Sequence, residues 1–292
     1  MRHALVFGAS GQIGRPLLAR LGRRGWQVVA VSQRPQTATP GVRWLRGDLA
    51  AVEGLPASVD AIFSCGPLDR FARWYARSSI ECPRVVAFGS TSVEVKQDST
   101  DAAERDLAAR LREGEAGVLA TAAARGVAAT LLRPTLVYGA GGDRTLTRIA
   151  VLAQRWHRFV LPSDATGLRQ PVHVDDLALA AFAVLDVAAA HGHTYALPGG
   201  ETLSYREMVA RVLATLQPPA KLHLLPPPVL RVVLALAQAG GVARDFGTAA
   251  LVRMREDLVF DAGPACRDFG YAPRAFEPTP GMFDGGQAGA RA

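Results

Sequence analysis

Three glycines, Gly8, Gly11 and Gly14, recur at every third position in GASGQIG, a spacing that suits a phosphate-bearing ligand. The first allows a tight turn, the second lets backbone approach a phosphate with no Cβ in the way, and the third lets a helix pack close to a strand. Ser10, Gln12 and Ile13 lie between them, at a helix start whose free N–H groups attract an anion. A dinucleotide is the expected ligand. A fold that takes NAD places an acid about 20 residues further on, to hold the ribose 2′-hydroxyl. This chain has Ser32, Gln33 and Arg34 there, and its first carboxylate after the loop is Asp48. A hydroxyl and a guanidinium suit a 2′-phosphate, so NADP is expected ahead of NAD; a solvated loop arginine is the alternative.

These residues need a strand before the loop and a helix after it. HALVFG predicts the strand, and Ile13, Leu17, Leu18 and Leu21 at helical spacing predict the helix. WQVVAVSQRP, GVRWLRGDL, DAIFSCGP, RVVAFGSTS and VAATLLRPTLVYG predict further strands alternating with helices. Such alternation implies an α/β fold, a doubly wound parallel sheet of the Rossmann type with its ligand at the carboxyl ends of the strands. After residue 195 the texture changes. LSYREMVARVLATL predicts a helix with a capping box from Ser204 to Glu207, followed by LPPP, an apolar helix and irregular segments. The expected division is a dinucleotide-binding domain over 1–195 and a smaller C-terminal cap or substrate lobe over 196–292.

At 292 residues and 49% apolar content the chain can bury a sizeable core. Its net charge of +7 comes almost entirely from arginine, since Lys96 and Lys221 are its only lysines. The arginines are scattered, with no basic run interleaved with aromatics, which argues against nucleic acid and for an anionic small ligand. Cys65, Cys82 and Cys266 lack metal-ligand spacing and are odd in number, so reduced thiols, no metal and a cytoplasmic setting are expected. A first strand beginning at residue 3 also leaves no room for a signal peptide. PVLRVVLALAQAGG, residues 228–241, is too short to cross a bilayer. It leaves open a cap-lobe or homodimer-interface helix, a wall for a hydrophobic substrate, or a membrane-surface contact. MFDGGQAGAR at 282–291 is expected to be a frayed tail.

With these motifs the chain resembles the short-chain dehydrogenase/reductase superfamily, in its extended and atypical branches that include nucleotide-sugar epimerases and dehydratases. The glycine loop has that spacing. GDL at Gly47 to Leu49 is similar to the adenine-side turn, where Asp48, with Leu49 beside it, would face the adenine amino group. AFGSTSV is similar to the strand end that carries the family's catalytic Ser/Thr, which falls on Thr91 or a neighbour. LLRPTLVYG, including Pro134, is similar to the segment passing the nicotinamide, and Cys65 and Gly66 complete the implied cofactor set. RQPVHVDDLA resembles the motif opening the helix before the cap lobe. It implies that Arg169 meets a substrate phosphate, or else pairs with Asp164. Ser92 and His173 are further substrate candidates, with a satisfied core histidine as the alternative for His173 and helix capping for Asp175 and Asp176.

The departure from the family is as informative. Its chemistry rests on a Tyr and a Lys four residues apart on one helix face, the Lys lowering the tyrosine pKa so that a proton moves as the nicotinamide moves a hydride. The resemblance places those positions at Leu107 and Leu111, with the motif's later Glu at Glu115. Tyr75, Tyr138, Tyr195, Tyr205 and Tyr271 are followed four residues on by Ser79, Gly142, Gly199, Val209 and Ala275, so no YxxxK exists. Two readings follow. One is an NADP-dependent oxidoreductase or epimerase-like enzyme acting on a small molecule, with its proton donor among Thr91, Tyr138, Lys96 and His173. The other is a catalytically inactive dinucleotide-binding structural or sensor subunit.

Overall fold

The structure, a computed structural model, describes residues 1–143, 145–230 and 248–283. Contacts divide the chain into two units that interleave along the sequence: 1–135 with 172–198 and 261–273, and 136–171 with 199–260 and 274–292. A single cut at residue 195 therefore does not separate them. The chain passes between the units at residues 135, 171, 198, 260 and 273.

The first unit is built on seven parallel strands among the described residues: β1 (His3–Phe7), β2 (Gln27–Ser32), β3 (Val42–Arg46), β4 (Ala61–Ser64), β5 (Arg84–Phe88), β6 (Ala128–Pro134) and β11 (Thr194–Leu197), in the order β11-β6-β5-β4-β1-β2-β3. The inner strands are buried on both faces, as a parallel sheet covered by helices requires: all of β4 and the last four residues of β1 are buried. The helices are α1 (Gly14–Arg23), α2 (Leu68–Arg77), α3 (Ser92–Val95), α4 (Ala102–Ala124), α6 (Val174–Ala183) and a short one at Gly263–Phe269. α1 packs against α6, and α2 against α4. Phe71, Tyr75, Val118 and Ala122 close one face over Leu5, Ile62 and Val85. The chain winds from β1 to β3, then returns to β4 on the other side of β1. This reversal between β1 and β4 is the switch point where doubly wound sheets bind ligands.

The second unit packs α5 (Leu146–Trp156), α7 (Tyr205–Ala214), the parallel pair β8 (Arg158–Pro162) and β13 (Lys221–Leu225), and the antiparallel pair β9 (Leu168–Arg169) and β12 (Leu203–Ser204). Its core gathers Leu146, Ile149, Leu161, Met208, Val212 and Phe276. The capping box forms by half: the Glu207 N–H donates to Ser204 Oγ at 3.1 Å, but the Glu207 carboxylate turns to Arg211 instead of the Ser204 backbone. Phe283 is buried in this core, so the expected frayed tail cannot begin at 282. Residues 284–292 lie outside the described ones, as does the apolar stretch from 231 on.

Glu201 joins residues 274–283 to α7. Its carboxylate accepts from Arg211 at 2.6 and 2.8 Å and from the Phe276 N–H at 3.1 Å, while Arg211 also donates to the Phe276 carbonyl. The Arg211 hydrogen bonds hold Glu201 below the ordinary carboxylate range. A depressed folded-state pKa gives stability that is complete above the unfolded value and is lost as pH falls through the folded one. Melting temperature should therefore decline on acidification below the usual carboxylate range. Glu201→Gln should flatten that decline in a calorimetric pH series; an unaltered slope would show that Glu201 is not its source.

Candidate functional site

Gly8, at the end of β1, has φ +69°, and a Cβ there would lie 2.8 Å from the Cys65 carbonyl carbon and 2.9 Å from the Gly66 nitrogen. Only glycine lets the turns after β1 and β4 meet at the switch point. A Cβ on Gly14 would lie 2.3 Å from the Gly8 oxygen, so the first turn of α1 sits directly on the loop. Gly11 donates its N–H to that same oxygen at 3.0 Å. The first turn of α1 holds no acidic residue, and its N-cap, Ile13, supplies no side-chain partner. The N-terminal dipole is thus left to an outside anion. Gln12 Oε1 is buried with no hydrogen-bond partner, a polar atom that a ligand at this loop could satisfy.

Gly8, Ser10, Gly11, Ser32, Arg34, Asp48, Leu49, Cys65 and Gly66 come together around one cleft of about 650 Å³, entirely within the first unit. Ile13 and Gly14 are buried at the helix start. Pro134, at the end of β6, carries Thr91: its carbonyl accepts from both the Thr91 N–H and Thr91 Oγ1 at 3.2 Å. Arg15, Gln36, Arg70 and Arg110 also line the cleft and were not singled out from the sequence. Arg70 could have been found, because it lies in the first turn of the helix that follows the second loop of the switch point.

At the end of β2, Ser32 is buried and its hydroxyl already serves the loop. It lies 3.0 Å from Ser10 Oγ, donates to the Arg34 carbonyl at 2.9 Å and accepts from the Arg34 N–H at 3.2 Å. It therefore shapes the turn that presents Arg34. The Arg34 side chain is exposed, and its guanidinium has no partner among the described residues. Asp48 closes the next turn. Oδ1 accepts from the N–H groups of Ala50 and Ala51 at 2.8 and 3.1 Å, and Oδ2 from Gln33 at 3.0 Å. Those two backbone donors, then Gln33 and the charge of Arg70, hold its carboxyl below the usual range. Its oxygens brace its own loop and Gln33, and a carboxylate keeps a lone pair beyond these three bonds while Asp48 lines the cleft. Burial pushes the Cys65 thiol up to about 12, so it lines the cleft as a neutral thiol.

The expected proton donors fare differently. Tyr138 is 1% exposed and packs edge-on against Phe276 in the core of the second unit, which assigns it to packing and corrects its place as a catalytic candidate. Lys96 pairs with Glu104 at 3.2 Å, and Ser99 donates to the same carboxylate. His173 is buried and caps α6, its Nδ1 accepting from the Asp175 N–H at 3.2 Å. Arg169 is also buried. Its guanidinium donates to the carbonyls of Leu168, Arg253 and Glu256 and lies 5.3 Å over the Tyr205 ring, while Asp164 pairs with Arg255. It ties residues 253–256 to β9, which corrects both the phosphate contact and the Asp164 pair expected of it. Ser92, at the start of α3, is half-buried, and its hydroxyl has no partner among the described residues. The register that places Leu107 and Leu111 on α4 leads to a buried ion pair at Glu115, whose carboxylate accepts from Arg133 at 2.8 and 2.5 Å. Among the described residues no cluster of His, Cys, Asp or Glu could hold a metal, and no helix is long and apolar enough to cross a membrane.

Residues 4–82 and 84–197 match the NAD dependent epimerase/dehydratase family, which covers both the glycine loop and the strand end at Thr91. The chain belongs to that family. It is thus a member of the extended short-chain dehydrogenase/reductases, with a Rossmann fold and no YxxxK pair. It is similar to a 2-alkyl-3-oxoalkanoate reductase of Stenotrophomonas maltophilia (strain K279a), with 29% identity over 92% of this chain and 94% of the relative. Its fold is similar to the solved structure of the epimerase Mth375 from Methanothermobacter thermautotrophicus (TM-score 0.70, 15% identity, 94% of this chain and 88% of that one). It is likewise similar to that of the UDP-glucuronic acid 4-epimerase from Bacillus cereus in complex with NAD (TM-score 0.69, 14% identity, 97% and 98%).

Proposed function

We propose that this protein is an NADP-dependent oxidoreductase that reduces the ketone of a small anionic, partly apolar molecule, a 3-oxo acid bearing an alkyl branch. The observation that carries the cofactor choice is the unpartnered Arg34 guanidinium on a turn that holds no carboxylate before Asp48. A 2′-phosphate adds about two negative charges at that turn, and the arginine fork matches its oxygens. The glycine cradle and the uncapped start of α1 suit the pyrophosphate, and the unsatisfied Gln12 Oε1 marks a place for a donor from the ligand. A bound nicotinamide would supply the hydride. The reductase relative, matched over nearly its whole length, supports the 3-oxo acid as substrate class.

With the family's Tyr and Lys positions apolar, the proton must come from elsewhere. Thr91 Oγ1 donates to the Pro134 carbonyl, which leaves it only lone pairs to offer; the half-exposed Ser92 hydroxyl has its proton free, and we assign it to relay a proton to the ketone oxygen while water returns one to Ser92 Oγ. The inactive reading draws on one observation: Leu111 packs against the core of the first unit, where a catalytic lysine would need a polar site.

Titration calorimetry tests the cofactor choice. A charge-assisted bond to phosphate is worth roughly 1.5–3 kcal/mol, so NADPH should bind at least about tenfold tighter than NADH. Arg34→Ala should remove most of that preference while leaving NADH binding nearly unchanged. Equal affinities in the wild type, or an equal loss for both cofactors, would refute it. NADPH oxidation on adding a 2-alkyl-3-oxo acid separates enzyme from silent binder: tight binding with no turnover on such acids or on simple ketones would favour the latter.

A further inference from the structure

In the second unit, α5 carries an outer stripe of Arg148, Val151 and Arg155 opposite its buried face of Leu146, Ile149, Ala150 and Ala153. The helix ends on Trp156, which is 52% exposed with the Arg155 guanidinium 5.3 Å from its ring centroid. The chain then turns at His157 into β8, where Arg158 stands in register opposite Lys221 of β13, and the Lys221 N–H donates to the His157 carbonyl at 3.1 Å. Arg158 and Lys221 are both exposed, on the face of the pair opposite the one that carries buried Phe159 and Leu161. The sequence holds no Asp or Glu between Asp143 and Asp164 or between Glu207 and Asp245, so neither segment forming this patch brings an acid of its own. A half-exposed indole leaves apolar surface in water, and like charges set opposite each other on paired strands oppose folding. One occupant relieves both.

We propose that this patch docks the protein peripherally on an anionic lipid bilayer. Arg155, Arg158 and Lys221 meet the headgroup charge, while Trp156 enters the boundary between headgroups and acyl chains, the depth at which amphipathic aromatic rings settle. A second copy fits less well, because a two-fold interface would set these cations against themselves, and cations on the β13 edge discourage strand addition. Nucleic acid would meet the charges but gives Trp156 and Val151 no apolar phase to enter. The proposal is independent of the cofactor reading, since none of these residues lines the cleft.

Co-sedimentation of the full chain with vesicles tests it. Binding is expected to phosphatidylcholine vesicles containing one-third phosphatidylglycerol, and not to phosphatidylcholine alone. Each cation near such a surface is worth about fivefold in partition, so Arg158→Glu with Lys221→Glu should weaken binding at least about twentyfold. Trp156→Ala should weaken it about tenfold with charge unchanged. High salt should release the wild type. These are surface changes, and an unchanged melting curve for each variant shows that it folds. The proposal is overturned by failure to bind anionic vesicles at low salt, by binding that ignores these substitutions, or by the same residues driving self-association or RNA binding in place of vesicle binding.

Discussion

Glu115→Ala should destabilise the first unit by about 3 kcal/mol, the lower end of the cost of breaking a buried ion pair. Arg133, at the end of β6, donates through Nε and Nη2 to Glu115 on α4 and through Nη1 to Glu94 on α3 at 2.7 Å. Glu115 is almost wholly enclosed, while Glu94 is half-exposed. Removing Glu115 leaves a largely buried guanidinium with one exposed partner, and the Glu115 hydrogen bonds are the main influence raising the Arg133 pKa. A Cβ on Gly89 would lie 2.9 Å from Glu115 Oε1, so the turn leading to Thr91 rests on this carboxylate. Calorimetry should find the melting temperature lower by roughly 6–12 °C. Glu94→Ala should cost less than about 1 kcal/mol, as exposed pairs do. Equal costs for the two substitutions would mean that burial does not set the worth of this network.

That network also shows where sequence reasoning stops. The sheet and the glycine loop were legible because their signals are local: a hydrophobic run, a turn residue, a helical period. The cofactor-side residues followed from position relative to those elements, and nine of them do line one cleft. Tyr138 and Arg169 are harder to place for a different reason. A tyrosine in a strand and an arginine before a helix look alike whether they face a ligand or a neighbour. The partner that decides it is far along the chain: Phe276 for Tyr138, and Arg253 and Glu256 for Arg169. Glu115 was placed by register alone, and nothing local revealed that Arg133 would meet it. The interleaving of the two units was equally hidden, because the crossings are short and their prolines and glycines, at Pro171, Pro198 to Gly200 and Pro273, read as ordinary turns.

Two substitutions in the glycine loop should have opposite signatures. Gly14→Ala puts a Cβ 2.3 Å from the Gly8 oxygen and 2.7 Å from the Ala9 backbone, and backbone on both sides leaves it nowhere to go. α1 would have to lift from the end of β1, so the variant should lose about 3 kcal/mol or more of stability, the severe end of overpacking. Gly11 meets only the Gly8 oxygen, at 3.1 Å from its virtual Cβ, a contact that a shift of a few tenths of an ångström relieves. Gly11→Val should therefore melt cooperatively within about 3 °C of the wild type, a shift corresponding to roughly 1 kcal/mol. Its side chain, however, fills the cradle in which the proposed pyrophosphate would approach the backbone, and dinucleotide affinity should drop at least about a hundredfold, or about 2.7 kcal/mol. Parallel calorimetric melts and NADPH titrations of the two variants make the comparison. Should Gly11→Val bind NADPH as tightly as the wild type, the loop is a structural turn and the dinucleotide site lies elsewhere. If it loses affinity only in step with a loss of folded protein, Gly11 serves packing as Gly14 does.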